Sequence, residues 1–199
     1  VAREAIAKQD GFKPQELSNL VWAHAILGIK HAALLEAVVA QARSKAESFD
    51  PQALSNTAWS FATLGWNNSA LFRAVSAAAL PIIDEFGPQN LCNLAWAFAT
   101  ASVADPALFD AIVGKATLEA GRFKSQELCN LAWAVATLGY ESRDLLHALA
   151  SAALASLPAF RPQELSNLVW AFATLSVRHS ELFASVASET LPKLEDFSE

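Results

Sequence analysis

A 37-residue spacing constrains this chain more than any other feature of its sequence. One motif occurs five times without insertion or deletion, as "QELSNLVWAHA", "QALSNTAWSFA", "QNLCNLAWAFA", "QELCNLAWAVA" and "QELSNLVWAFA". Each copy follows a phenylalanine at the same interval, from Phe12 to Phe160. Because a fixed period of this length is typical of stacked helical repeats, we predict an array of similar units.

The phenylalanine spacing also sets the predicted repeat boundaries. We expect residues 1–199 to form a single repeat array with full repeats at 12–48, 49–85, 86–122, 123–159 and 160–196. On this reading 1–11 ends a preceding repeat and 197–199 starts a further one. Since the chain has no methionine and neither end shows a polar capping repeat, we expect it to be excised from a longer protein.

Each repeat is predicted to contain two helices, here called A and B. Helix A begins at a proline such as Pro14, where the missing N–H costs nothing. It ends before a residue such as Gly28, which suits the left-handed cap conformation. Helix B begins near Leu34 and its equivalents. The expected fold class is all-α, an α-solenoid of helix-turn-helix repeats with period 37 that forms a curved superhelix.

Helix A is patterned on two opposite faces. At about 100° per residue, Leu17 and Val21 share one face, which is predicted to pack on helix B. Gln15, Asn19 and Trp22 share the opposite face. The same glutamine, asparagine and tryptophan recur in all five copies, so this second face is either a ligand surface or a contact between repeats.

Two interpretations of that face remain open from the residues alone. Carboxamides can donate to and accept from base edges, and tryptophan can stack on bases. Alternatively, each asparagine bonds the backbone or the glutamine of the next repeat, and each tryptophan is buried between repeats. The lack of variation among repeats favours the second interpretation. The carboxamide candidates for RNA contact are Gln15, Gln52, Gln89, Gln126, Gln163, Asn19, Asn56, Asn93, Asn130 and Asn167.

Variation between repeats occurs instead at the start of helix A. The residue after each phenylalanine is basic in three repeats, as Lys13, Lys124 and Arg161. These side chains are candidates for phosphate contacts, which position an RNA without specifying its sequence. The alternative is that they are ordinary solvated helix termini. The residue after each glutamine varies as well, between Glu16 and Ala53 for example.

Composition limits the function classes. The formal net charge of −6 is unusual for a nucleic-acid binder, because phosphate neutralisation supplies much of the affinity in that class. No apolar run of about 18 residues is present, so no membrane span is expected. The two cysteines, Cys92 and Cys129, occupy the same motif position and are predicted to be small, reduced packing residues.

No catalytic set is evident in the sequence. The four histidines, at positions 24, 31, 147 and 179, show no i, i+4 metal pairing. No glycine-rich phosphate loop and no nucleophile elbow is present. We therefore expect a protein that is not an enzyme, with no cofactor, no metal and no small-molecule substrate.

The motif "PQELSNLVWAFATL" resembles the octotricopeptide repeats of chloroplast and mitochondrial RNA-processing proteins, and the period is more similar to the heptatricopeptide variant that precedes a RAP domain. The resemblance covers essentially the whole chain, with Ser125 departing from the proline of the pattern. It implies single-stranded RNA binding in an organelle, with helix A on the concave surface and roughly one nucleotide per repeat. The alternative function is a non-catalytic protein–protein scaffold or accessory subunit of a large organellar complex, which the acidic charge favours.

Overall fold

The computed structural model of the chain describes residues 11–191, and in that range the chain forms ten α-helices and no strand. The expected all-α class is therefore confirmed for these residues. The predicted start of a further repeat at 197–199 lies outside them, as does nearly all of the predicted fragment 1–11. No helix among the described residues is long and apolar enough to cross a membrane.

Five helices begin two residues after the repeated phenylalanine and correspond to the predicted A helices. They are α1 (Pro14–Ile26), α3 (Pro51–Thr63), α5 (Pro88–Thr100), α7 (Ser125–Thr137) and α9 (Pro162–Thr174). The B helices alternate with them as α2 (Ala32–Lys45), α4 (Ser69–Ala79), α6 (Pro106–Glu119), α8 (Arg143–Ser156) and α10 (Ser180–Thr190). Short 3-10 helices at Ala46–Ser48, Leu80–Glu85, Ala120–Arg122 and Leu157–Ala159 lead into the next phenylalanine.

Every B helix is capped by the residue immediately before it, and four residue types share this role in the five repeats. Side-chain acceptors on these residues receive a backbone N–H from the first turn of the helix, the usual N-cap arrangement. The capping residues are His31, Asn68, Asp105, Ser142 and His179. The caps place the B-helix starts two residues before the leucines from which the sequence predicted them.

The A helices end in Schellman motifs. In the first, the N–H of Ile29 donates to the carbonyl of His24 at 2.9 Å and that of Gly28 donates to the carbonyl of Ala25 at 3.1 Å. The residue in the left-handed conformation is glycine in three repeats but Ser102 (φ 56°) and Ser176 (φ 55°) in the other two. These serines sit in a conformation that disfavours residues with a Cβ atom.

The described residues form two compact units, which divide after residue 111. In the first unit the helices α1, α3 and α5 pack side by side, and α2 and α4 pack together in a second layer. Phe61, Phe72 and Phe98 are fully buried between the layers, and the rings of Phe72 and Phe98 meet edge to face with centroids 5.0 Å apart.

The second unit repeats this arrangement with fewer elements. Helix α7 packs on α9, and α8 packs on both α7 and α10. Its core includes Leu131, Leu145, Leu149 and Phe172, each completely shielded from solvent. In both units the A helices bury one face, so the opposite face remains available to a ligand.

Candidate nucleic-acid interface

The solvent-facing side of the A helices carries the repeated glutamines and asparagines. We call these ten residues the carboxamide stripe, and each unit carries its own part of it. The first unit has Gln15 and Asn19 on α1, Gln52 and Asn56 on α3, and Gln89 and Asn93 on α5. The second unit has Gln126 and Asn130 on α7, and Gln163 and Asn167 on α9. Their i, i+4 spacing places each pair on one face of its helix. All five glutamines are exposed, and the asparagines are exposed or half-buried.

None of the carboxamide side chains in the stripe forms a hydrogen bond or any other polar contact within residues 11–191. The expected ladder, in which each asparagine bonds the next repeat, is therefore wrong. The amides form no such bonds because helix A turns them outward. Leu17 and Val21 are buried on the opposite face of the helix and fix this orientation. The donors and acceptors of the stripe remain free for water or a ligand.

On each A helix a tryptophan lies three residues after the stripe asparagine and beside it. We call these five residues the tryptophan row, with Trp22, Trp59 and Trp96 in the first unit and Trp133 and Trp170 in the second. Trp22 and Trp170 are 44% and 45% exposed, and the other three are half-buried. The expectation that each tryptophan is buried between repeats is thus wrong. The rings of Trp59 and Trp96 approach with centroids 6.2 Å apart and planes tilted by 33°. This is direct ring contact, so no base lies between these two rings.

Polar contacts between neighbouring A helices occur elsewhere in the motif. The Nδ2 of Asn90 donates to Oγ of Ser55 at 3.3 Å, joining α5 to α3. The Sγ of Cys129 donates to the backbone carbonyl of Glu164 at 3.0 Å, joining α7 to α9. Both bonds join the same pair of motif positions, because Ser55 corresponds to Cys129 and Asn90 corresponds to Glu164. In each bond the two residues are 35 apart in the sequence. Sequence reasoning missed this link, although Ser55 and Cys129 hold the same position in their repeats.

The two cysteines are free and buried, as the sequence predicted. Burial raises the pKa of the Cys129 thiol well above its usual range, and the negative charge of Glu164 acts in the same direction. The thiol is therefore protonated at neutral pH and available as a donor, and it is a poor nucleophile.

The three predicted phosphate contacts occupy the N-cap positions of A helices. In each case the backbone N–H of the basic residue donates to the glutamate at the third helical position, which forms half of a capping box. The bonds are Lys13 to Glu16 at 2.8 Å, Lys124 to Glu127 at 2.8 Å and Arg161 to Glu164 at 2.9 Å. The basic side chains themselves are exposed and form no ion pair among the described residues.

The N-cap residue and the third residue of helix A both vary between repeats, and they change together because they cap the helix as a pair. Where the third position is Ala53, the N-cap is Asp50, whose Oδ1 accepts the N–H of Ala53 at 2.7 Å. Where the N-cap is Gly87, Oδ1 of Asn90 accepts its N–H at 3.3 Å. Helix capping thus accounts for the variation at these positions.

The histidines bond nearby backbone atoms, and the other polar features lie apart from the stripe. His31 and His179 cap helices, and Nδ1 of His24 lies 2.8 Å from the carbonyl oxygen of Leu20. A cleft of about 500 Å³ in the second unit is lined in part by Arg143 and Arg178. In the described part of the chain, no group of three or more His, Cys, Asp or Glu side chains is placed to hold a metal ion.

These features define an all-helical protein whose A helices present repeated, unpaired carboxamides beside a row of tryptophans. The family model described as RNA-editing substrate-binding complex 6 protein matches residues 1–195, and the chain belongs to this family. No curated protein matches the chain.

Proposed function

We propose that this protein binds single-stranded RNA on the carboxamide stripe residues of each unit and that it acts without catalysis, as a component of an RNA-editing substrate-binding complex. The name of its family supports the RNA ligand and the complex. We place the site on the stripe because its amides face outward and form no hydrogen bond among residues 11–191. Free donors and acceptors at regular intervals suit the exposed edges of unstacked bases.

The stripe and the tryptophan row supply complementary contacts. Each carboxamide offers two donors and an acceptor to a base edge. The exposed portions of the indoles offer apolar surface for stacking, a contact worth about 1–3 kcal/mol per base. Because Trp59 and Trp96 contact each other, bases stack against the outer surface of the row instead of entering between its rings.

The basic N-cap residues at the N-terminal ends of the A helices supply the phosphate contacts. Lys124 and Arg161 lie at the starts of the adjacent helices α7 and α9, and Lys13 lies at the start of α1. Their side chains are free because the neighbouring glutamates bond the backbone. A small number of such contacts orients an RNA strand without making the whole protein basic.

The architecture that we propose for this function is an α-solenoid with a period of 37 residues, similar to the octotricopeptide and heptatricopeptide arrays. The A helices begin at residues 14, 51, 88, 125 and 162, in agreement with this period. By the same resemblance we place the protein in an organelle, a mitochondrion or a chloroplast.

A second candidate function is that of a protein scaffold or accessory subunit within the same complex. The observation that favours it is charge, since the chain carries a net charge of −6 and the stripe has no charged side chain. A protein partner satisfies exposed carboxamides as well as RNA does, without requiring a basic surface.

The two functions are separated by a direct binding measurement. Fluorescence anisotropy of a labelled pool of random single-stranded RNA is measured with the full chain at low and moderate salt, with duplex RNA of equal length as control. We expect saturable binding of the single strands, weaker binding of the duplex, and loss of affinity with salt. Absence of binding to the pool at low salt would contradict RNA binding and favour the scaffold.

A further inference from the structure

The carboxamide stripe is chemically identical in every repeat although its side chains are exposed or half-buried, whereas several buried positions differ between repeats. The position that holds Phe61 holds Val135 in another repeat, and the position that holds Thr57 holds Leu94. All four of these residues are buried. Buried positions such as those of Leu54 and Leu71 are constant because they pack the core, but exposed positions normally tolerate substitution. Recent copying of the repeat does not by itself explain the constant stripe, because buried positions such as that of Phe61 have diverged since the copying.

No side-chain hydrogen bond among residues 11–191 accounts for this identity. In that range the stripe glutamines and asparagines bond no neighbouring repeat and cap no helix. Positions with such roles do vary, as Asp50 and Gly87 at the helix caps illustrate. The constraint on the stripe therefore comes from a ligand, and the ligand presents the same chemistry to each repeat.

We infer that the preferred ligand is single-stranded RNA with a run of one base, so that successive A helices meet identical nucleotides. This inference rests on the RNA-binding function proposed above. Helices α1, α3 and α5 pack side by side in the first unit, and α7 and α9 do so in the second. Neighbouring helices are typically about 8–10 Å apart, so successive bases reach successive helices only when the strand is fully extended. One base per helix then gives a homopolymeric run of three on the first unit and two on the second.

Because every helix carries the same pair of carboxamides, the preference for one base adds up over successive helices. A glutamine and an asparagine on one helix form a fixed set of donors and acceptors, and that set matches one base edge better than the others. Because the set is repeated, the same base is preferred on every helix. A different base at one position leaves an amide without its partner, and we expect a loss of affinity of about tenfold for each such position.

The test compares oligonucleotides of equal length, each twelve nucleotides long by design. Oligomers of A, of C, of U and of 7-deazaguanosine, which avoids quadruplex formation, are measured beside the random pool. We expect one of the four to bind at least tenfold more tightly than the pool and the other three. A single central substitution in that oligomer should lower its affinity.

The outcomes distinguish this inference from the proposed function. Equal affinity for the pool and for all four homopolymers would leave RNA binding intact and overturn the homopolymer preference. Preferential binding to a selected mixed sequence would overturn it as well. If neither the pool nor any homopolymer binds, the proposed function and this inference both fail.

A variant locates the preference on the stripe. The double change Asn56→Ala and Asn93→Ala removes two carboxamides from α3 and α5, and it should reduce the affinity ratio between the best homopolymer and the pool by at least tenfold. Asn67→Ala removes an exposed asparagine from a connecting loop and should leave the ratio unchanged. Thermal unfolding of both variants verifies that they fold. An unchanged ratio in the folded double variant would contradict the assignment.

Discussion

The thiol of Cys129 donates a hydrogen bond to the backbone carbonyl of Glu164, 3.0 Å away on the next A helix of its unit. Replacing this donor by a hydroxyl should be nearly neutral at pH 7, because Ser55 and Ser18 are buried at the same motif position. Cys129→Ala removes this donor, but the carbonyl keeps its helical N–H partner, so the change should cost only about 0.5–1.5 kcal/mol. Urea unfolding of the two variants measures the difference. Equal losses in both would show that the bond contributes nothing.

Because the pKa of the Cys129 thiol is raised, we expect the free energy of unfolding to fall at alkaline pH. The pKa of the thiol is raised in the folded state, so the unfolded thiol ionises first, from about pH 8.5. The contribution of Cys129 is thus fully present below that pH and is lost as the pH rises, by at most about 1.4 kcal/mol per pH unit. The free energy of unfolding of Cys129→Ser should fall less steeply between pH 8 and 10 than that of the parent. Parallel curves would contradict the shift.

The left-handed serines predict a simple route to greater stability. Ser102 and Ser176 hold a conformation that glycine adopts freely, as Gly139 does at the equivalent position. We expect Ser102→Gly to raise the free energy of unfolding by about 1 kcal/mol. The reciprocal change Gly139→Ala should lower it by a similar amount, since open space around Gly139 leaves backbone conformation as the cause. A destabilised Ser102→Gly would mean that the serine side chain has a role of its own.

Much of the local structure is predictable from the sequence, because the signals are local. Pro14 marks the first turn of an A helix and Gly28 marks its end, and both positions are where they were expected. The two-faced pattern of Gln15 and Leu17 also places the stripe on the correct side of the helix.

What the sequence does not determine is how far the A helices turn their polar face toward a neighbouring repeat. That rotation depends on packing of the opposite face against distant residues, so Asn93 bonding a neighbour and Asn93 facing solvent produce the same pattern. The capping pairs were detectable in principle from Lys13 and Glu16. A basic residue at the N-cap conceals the signal, because only the glutamate half of the capping box is present.

The tryptophan row should contribute to stability unequally along its length. Trp96 contacts Trp59, whereas Trp22 is 44% exposed. Trp96→Ala should therefore destabilise the protein more than Trp22→Ala does. A double-mutant cycle between positions 59 and 96 should give a coupling of about 0.5–1.5 kcal/mol. A coupling near zero would show that the ring contact is not energetically significant.

The basic N-cap residues should control the salt dependence of RNA binding. Changing Lys13, Lys124 and Arg161 together to alanine should weaken binding similarly for every RNA sequence, because phosphate contacts carry no sequence information. The slope of log affinity against log salt should become shallower by about 0.7 for each lost phosphate contact. The matched control removes the same charge from exposed B-helix positions, as Arg43→Ala, Arg73→Ala and Arg143→Ala. Equal effects of the two triple variants would indicate that only net charge matters.

The most direct test of the account places a negative charge on the carboxamide stripe without changing its shape. Asn56→Asp and Asn93→Asp are combined in one variant, and Asn67→Asp combined with Asn68→Asp supplies the control, since Asn67 is exposed in a loop and an aspartate caps a helix as well as Asn68 does. The dissociation constant for single-stranded RNA is measured by anisotropy for both folded variants and the parent. We predict that the stripe variant loses at least tenfold in affinity and that the control changes by less than about threefold, the size of effect expected from distant net charge alone. Equal affinities of the stripe variant and the control would contradict the claim that RNA lies on the stripe.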